Sequence, residues 1–334
     1  MNQEHATATR TRAVSSDATQ STSAVARGSS NDVDLARLSE SVALRLRRER
    51  EERESNVRDE ALSSSDMDDA NLVDGSTLVS TDLASVRDNL IRQEESIIFS
   101  LIERAQVARN SAIYECGGLP VPGFDEDTGR RHSLLEYVLR QTEQLYGRVR
   151  RYTAPDEHAF FPESLPPLVL PPLRYPDSLH RPASTFDIND VVYDMYVHHL
   201  LPEVAAEGDD ANYGSAALLD VACLQALSKR VHYGMFVAEA KFTAAPQKYT
   251  PLIVEKDANG LMELLTDTAV EAQVLKRVER KAAAYGVPPD ADGNGGAAVS
   301  PKIDPKEVGR LYEAWVMPLT KEVQVKYLLH RLEE

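Results

Sequence analysis

The apolar positions of this chain follow a helical period from residue 81 onward. Leu83, Val86, Leu90, Ile97, Ile98, Leu101 and Ile102 recur at spacings of three, four and seven, the stripe of one buried helix face. Thr81-Asp82 just ahead supplies a side-chain cap for the first unpaired amides. The stretch GGLPVPGFDEDTG, Gly117–Gly129, interrupts the pattern. Ser133 then caps a second helix that turns Leu134, Leu135, Val138, Leu139 and Leu145 inward. Residues 155–182 are too dense in proline for regular helix or a central strand. They read as an ordered loop packed through Phe160, Phe161, Leu168 and Leu170, and a loop of that length points to assembly or regulation.

Residues 187–206 are helical, with Val191, Val192, Met195 and Leu200 inward, and 208–215 are a loop. Leu224–Phe242, LQALSKRVHYGMFVAEAKF, has helical apolar spacing and no proline. Residues 246–260 hold a short helix, and 268–285 a longer one ended by Gly286 and Pro288. A glycine-rich loop, 290–300, precedes the last helix, which Asp304-Pro305 opens and Pro318 kinks or restarts before 320–332. No segment alternates as a strand does. The expected fold is all-α, a single large helical-bundle domain over residues 81–334.

Residues 1–80 form a separate extension. The first 33 are Ser, Thr, Ala and Arg with little to bury, and read as disordered. A plastid transit peptide competes with that reading, but such peptides are poor in acids, and Glu4, Asp17 and Asp32 weigh against it. Residues 34–62 are densely charged, an exposed helix held by i, i+4 pairs or a solvated segment. Ser63–Gly75 is acidic and serine-rich, a linker.

Charge and cysteine content narrow the function. The chain has 334 residues and a formal net charge of -16, which argues against a nucleic-acid partner. An anionic ligand needs a local cationic cluster, because the global field repels it. Two cysteines, Cys116 and Cys223, cannot build a disulfide framework or a cysteine-rich metal site. No apolar run is long enough to span a membrane. His198-His199 and His232 lack a second ligand at metal spacing, so no metal or cofactor is expected; the two cysteines read as free thiols in a reducing compartment, and the expected location is cytoplasmic, with the plastid as the alternative.

The candidate chemistry sits in Leu224–Phe242. Arg230 and Lys241 lie eleven residues apart, almost three helical turns. In an unbroken helix both leave one face, beside apolar neighbours. Two such cations serve a buried anion, or are neutralised internally by Glu239 or Glu271.

Five separated segments then carry a resemblance: LIRQEESIIFSLIERA (Leu90–Ala105), PDEHAFFP (Pro155–Pro162), NYGSAA (Asn212–Ala217), CLQALSKRVHYGMFVAEAKF (Cys223–Phe242) and PLTKEVQVKYLLHRLE (Pro318–Glu333). In this order they resemble the eukaryotic chorismate mutase of plants and fungi, from about residue 81 to the end. The resemblance implies an all-α homodimer that rearranges chorismate to prephenate without a cofactor, toward phenylalanine and tyrosine. In several members tyrosine and phenylalanine inhibit and tryptophan activates.

By position, Arg87 and Arg230 match arginines that bind the substrate carboxylates. Lys241 matches a lysine that donates to the ether oxygen, and Gln324 stands where the second donor belongs. Glu271 matches an acceptor for the substrate hydroxyl, and Thr320 a substrate-contacting threonine. Val149, Arg150 and Arg151 match the segment that meets an effector carboxylate across the dimer. Asn212, Gly214 and Ser215 match the loop that holds the effector's amino group. Asp267 and Asp304 depart from the family pattern. The alternative is a catalytically silent helical dimer that binds an aromatic metabolite or a protein partner.

Overall fold

The computed structural model describes residues 73–74, 82–286 and 302–334. The readings of residues 1–72 and of the 290–300 loop lie outside the described residues.

Strand β1, Val73–Asp74, pairs in parallel with β2, Leu173–Arg174, in the register Val73 to Leu173 and Asp74 to Arg174. Two residues are too short to show a period of two, which is why the sequence pattern holds no sign of this pair. The other regular elements described are helical.

Helix α1, Leu83–Arg104, is capped as expected: Asp82 Oδ1 accepts from the amides of Ala84 and Ser85 at 3.0 and 3.1 Å. Val86, Ile97, Ile98, Leu101 and Ile102 are buried, whereas Leu83, three residues before the first buried position, is exposed. Within the Gly117–Gly129 interruption lies a short helix, α2, Phe124–Thr128, bounded by Gly123 and Gly129 at φ of 83° and 69°. Helix α3, Leu134–Arg148, has Ser133 as its cap. Leu135 and Leu139 are fully buried, but Leu145 is 61% exposed, against the expectation that it points inward. Six residues past Leu139 is a rotation of about 240°, so Leu145 leaves the core face. It joins Val149 and Val169 in an exposed apolar edge.

Residues 155–182 form a strap across the surface. Phe160 and Phe161 are half-buried, but Leu168 and Leu170 are exposed and do not anchor it. Prolines strip the strap of amide donors, so side chains and its remaining amides tie it down. Glu143 accepts from the amides of Phe160 and Phe161 at 2.8 and 3.0 Å. The guanidinium of Arg140 lies 3.6 Å from the centre of the Phe161 ring. Arg150 donates to the Pro171 carbonyl at 2.7 Å.

Helix α4, Asn189–Met195, continues through a π turn, Tyr196–Leu200, into α5, Leu201–Val204. Helices α6, Tyr213–His232, and α7, Gly234–Ala244, follow. The stretch 246–260 holds not one helix but α8, Pro246–Val254, and the start of α9, Ala258–Leu265. Lys256 at φ 53° turns the chain between them. Helix α10, Thr268–Tyr285, is capped by Asp267, and α11, Pro305–Leu311, by Asp304. A second π turn, Tyr312–Val316, joins α11 to α12, Met317–His330. Pro318, expected to kink or restart the helix, stands in the first turn of α12 directly after this π turn, and the chain stays helical through it. A proline ring clashes with the carbonyl four residues earlier in an α-helix, and the wider turn relieves it. Pro202 stands in the same relation to the first π turn.

Helix α1 packs on α6, α12 on α7, and α10 on α11. One buried polar network fastens the α1–α6 contact. Asp220 accepts from Arg104 Nε at 2.5 Å, from Tyr196 at 2.6 Å and from Tyr114 at 2.7 Å. Arg104 spends its remaining donors on the Val107, Ala108 and Arg109 carbonyls and on Tyr114. This polar core positions α6, the helix that carries Arg230.

Candidate active site

The helix expected over Leu224–Phe242 is interrupted at Tyr233, where ψ flattens to -11°. The amide of Phe236 bonds back only three residues, to the Tyr233 carbonyl at 3.1 Å. Gly234 follows, and a Cβ there would lie 2.7 Å from the Thr320 carbonyl oxygen and 3.2 Å from Val323 Cγ1. Glycine thus lets α12 press onto the α6–α7 junction.

Arg230, on the last turn of α6, is 6% exposed. Its Nη1 donates to Thr320 Oγ1 at 3.1 Å, and that hydroxyl donates to the Val316 carbonyl at 2.6 Å. Arg230 Nε has no partner. Among the described residues Arg230 forms no ion pair. Burial holds its pKa below the ordinary arginine value, against the Tyr312 hydroxyl and Glu94 nearby. Gln324, 5% exposed, lies one turn after Thr320. Its Nε2 donates to the Thr320 carbonyl at 3.3 Å and its Oε1 is unpartnered.

Lys241, on α7, donates to the Leu265 carbonyl at 3.0 Å. That carbonyl ends α9, where unpaired oxygens favour a cation. Burial lowers the Lys241 pKa, opposed by Asp267 and Glu271 and reinforced by Lys321 and Arg87. Glu271 is paired with Lys321 at 3.1 Å. Arg87 is exposed at the start of α1.

The six candidates therefore fall into two adjoining sets. Arg230, Thr320 and Gln324 touch directly. Lys241, Glu271 and Arg87 share one electrostatic neighbourhood. Neighbouring positions on α12 join them, since Thr320 bonds Arg230 and Lys321 pairs with Glu271. Among the described residues neither Glu239 nor Glu271 pairs with Arg230: Glu239 binds Arg331 at 2.6 Å and Tyr327 at 2.5 Å, and Glu271 binds Lys321.

Sequence reasoning missed a charge cluster beside Arg230. Glu94, fully inside, accepts from Arg277 at 2.8 and 2.6 Å and sits 3.5 Å from Lys281 Nζ. Two signals pointed to it. Arg277 and Lys281 share one face of α10 at i, i+4, and Glu94 lies two turns after Arg87 on α1.

Val149, Arg150 and Arg151 line a cleft of about 550 Å³ with Arg92, Gln93 and Lys229. Asn212, Gly214 and Ser215 sit at the other end of α6. Gly214 and the cleft residue Ala226 are twelve residues apart on that helix, about 18 Å. One copy of the chain does not bring the two sets together.

The profile of the family described as chorismate mutase type II matches residues 212–325. The chloroplastic chorismate mutase 1 of Petunia hybrida is 51% identical over 253 residues, 75% of this chain and 76% of the relative. The cytosolic chorismate mutase 2 of Zea mays is 46% identical over 252 residues, 75% of this chain and 96% of the relative. The crystal structure of AtCM1 with phenylalanine bound in its allosteric site has a TM-score of 0.70 and 46% identity, over 78% of this chain and 100% of that one. The same protein has been solved with tyrosine in that site. With the fold, the matched profile and identities of this size over three quarters of its length, the chain belongs to the chorismate mutase family, the isomerases of plants and fungi.

Proposed function

We propose that Arg230 and Arg87 each hold one carboxylate of chorismate, while Lys241 and Gln324 donate to the ether oxygen. Glu271 accepts from the ring hydroxyl, and Thr320 contacts the substrate beside Arg230. The rearrangement to prephenate is unimolecular and needs neither a nucleophile nor a proton donor. The protein accelerates it by holding the compact conformer and stabilising charge as the C–O bond breaks.

One observation carries this reading: a guanidinium buried on α6 with one nitrogen unpartnered and no carboxylate paired to it among the described residues. Such a charge is costly inside a protein unless it serves an anion. The resting partners of the two donors fit as well. Lys241 and Gln324 now bond neutral backbone carbonyls. Exchanging these for an oxygen that gains negative charge in the transition state strengthens both bonds at the moment of reaction. Following loss of chorismate absorbance with the purified chain tests the reading. Lys241→Met is expected to lose about 100-fold or more in kcat, and a variant that keeps parental turnover overturns the assignment.

The active form in this reading is a homodimer that aromatic amino acids regulate. Support comes from the apolar edge of Leu145, Val149 and Val169, and from effector residues that face different ends of α6. Arg150 and Arg151 of one copy would meet an effector carboxylate held by Asn212, Gly214 and Ser215 of a second. Turnover measured with tyrosine, phenylalanine and tryptophan in turn tests this, and no response to any of the three sinks it. The catalytic domain spans 81–334, so a chain without residues 1–78 should keep its basal turnover. The relatives include chloroplastic and cytosolic enzymes. The acids at positions 4, 17 and 32 favour the cytosol, and processing of the tagged chain by isolated plastids would overturn that placement.

A further inference from the structure

The cleft between α1 and α6 has a charge its ion pairs do not exhaust. Of its four cations, Lys229 is engaged by Asp156 and Glu157 at 2.9 and 2.7 Å, and Arg151 by Glu157 at 3.0 Å. Arg92 and Arg150 pair with no carboxylate among the described residues. Arg92 bonds Asn89, and Arg150 bonds the Pro171 carbonyl at 2.7 Å. At the floor, Gln93 is 8% exposed and its Oε1 is buried without a donor. The cleft therefore offers two unneutralised guanidinium groups and one acceptor that a backbone amide would satisfy. This is the recognition chemistry of an extended acidic peptide.

The chain itself brings such a peptide to the rim. Strand β1 pairs with β2, and Leu173 of β2 lines the cleft. Immediately before β1 the sequence reads SSSDMDDANL, residues 63–72, with Asp66, Asp68 and Asp69 and no cation. Asp69 is four residues from Val73, at most about 14 Å of chain. The pairing is parallel with Val73 opposite Leu173, two residues after Pro171, whose carbonyl Arg150 holds.

We infer that residues 63–72 dock into the cleft between Arg92 and Arg150 and act as a tethered, acidic competitor for Arg150 and Arg151. The regulatory half rests on the effector reading of those arginines; the docking half does not. A short tether gives the segment an effective concentration of about a millimolar. An effector carboxylate must displace it, so it raises the effector concentration needed without changing basal turnover. The attraction is between partly exposed charges and weakens with salt.

Two measurements on the full-length chain test this. First, Asp69→Cys and Arg92→Cys are combined in a Cys116→Ser background and mildly oxidised. An intramolecular disulfide is expected that forms several-fold more slowly at about 0.5 M than at about 0.05 M salt. It should also slow when Asp66→Asn and Asp68→Asn are added. A rate indifferent to both, or a disulfide only between two chains, overturns docking within one chain. Second, Asp66→Asn/Asp68→Asn/Asp69→Asn should leave basal turnover unchanged and lower the half-effective concentration of an aromatic amino acid about three- to tenfold. Equal half-effective concentrations in parent and variant overturn the competition. If no aromatic amino acid acts on either protein, the effector reading fails, the competition with it, and the disulfide alone decides whether the segment docks.

Discussion

Gly234 and Thr320 meet more closely than any side chain would permit: a Cβ on residue 234 would stand 2.7 Å from the Thr320 carbonyl oxygen. The contact sets how far α12 sinks onto the α6–α7 junction, and with it the bond from Arg230 to Thr320. Gly234→Ala must push α12 away. The expected loss is about 1–3 kcal/mol of stability, seen as a lower thermal midpoint, with a fall in kcat that exceeds any change in KM. An alanine variant with parental kcat would separate helix spacing from catalysis.

Arg230 should cost the fold something. A buried guanidinium without a carboxylate partner destabilises the chain that carries it. Arg230→Met keeps the volume and removes the charge. Its turnover should drop by about 100-fold or more while its thermal midpoint holds or rises. A large fall in the midpoint would assign Arg230 to structure.

Gln324 donates through an amide, which keeps its protons at every ordinary pH. The parent enzyme should show a flat rate from acid to neutral. In Gln324→Glu the carboxyl is a donor only while protonated, so turnover should persist in acid and vanish toward about pH 8. Full activity of the variant there removes Gln324 from the mechanism.

Glu143 gives the strap a pH dependence. Burial lifts its carboxyl from 4.5 to about 7, although the amides of Phe160 and Phe161 pull the other way. Between those values the folded chain keeps a proton that the unfolded chain has released. The stabilisation is complete below 4.5 and lost as pH rises through about 7. Denaturation midpoints across this window should fall less steeply with pH in Glu143→Gln than in the parent. Parallel curves for the two would place the titration elsewhere.

The long helices and most caps were legible in the sequence because each rests on local signals, such as Asp82 and Ser133 before apolar stripes. Arg230, Thr320 and Gln324 are each singled out by the family resemblance, and their contact follows from α12 crossing α6. What escaped was set by tertiary packing. Tyr233 has no helix-breaking chemistry, and only the approach of α12 explains Gly234. Pro318 marks an irregularity in the last helix, but local rules do not foresee that it takes the form of a π turn. Leu145 was assigned to the core because apolar content, not its phase on α3, was weighed. Glu94, Arg277 and Lys281 belong to helices far apart in sequence, so local spacing marks each face but not their meeting.

The wide turn at Tyr312–Val316 carries a residue more than an ordinary turn would, and that surplus rotates everything after it by roughly 100°. Thr320 and Gln324 owe their inward bearing to this winding as much as to their identity. A relative with the same side chains but a regular coil at that point would present them to other neighbours. Motif matching along α12 therefore reports on the active centre only when the backbone phase is inherited too.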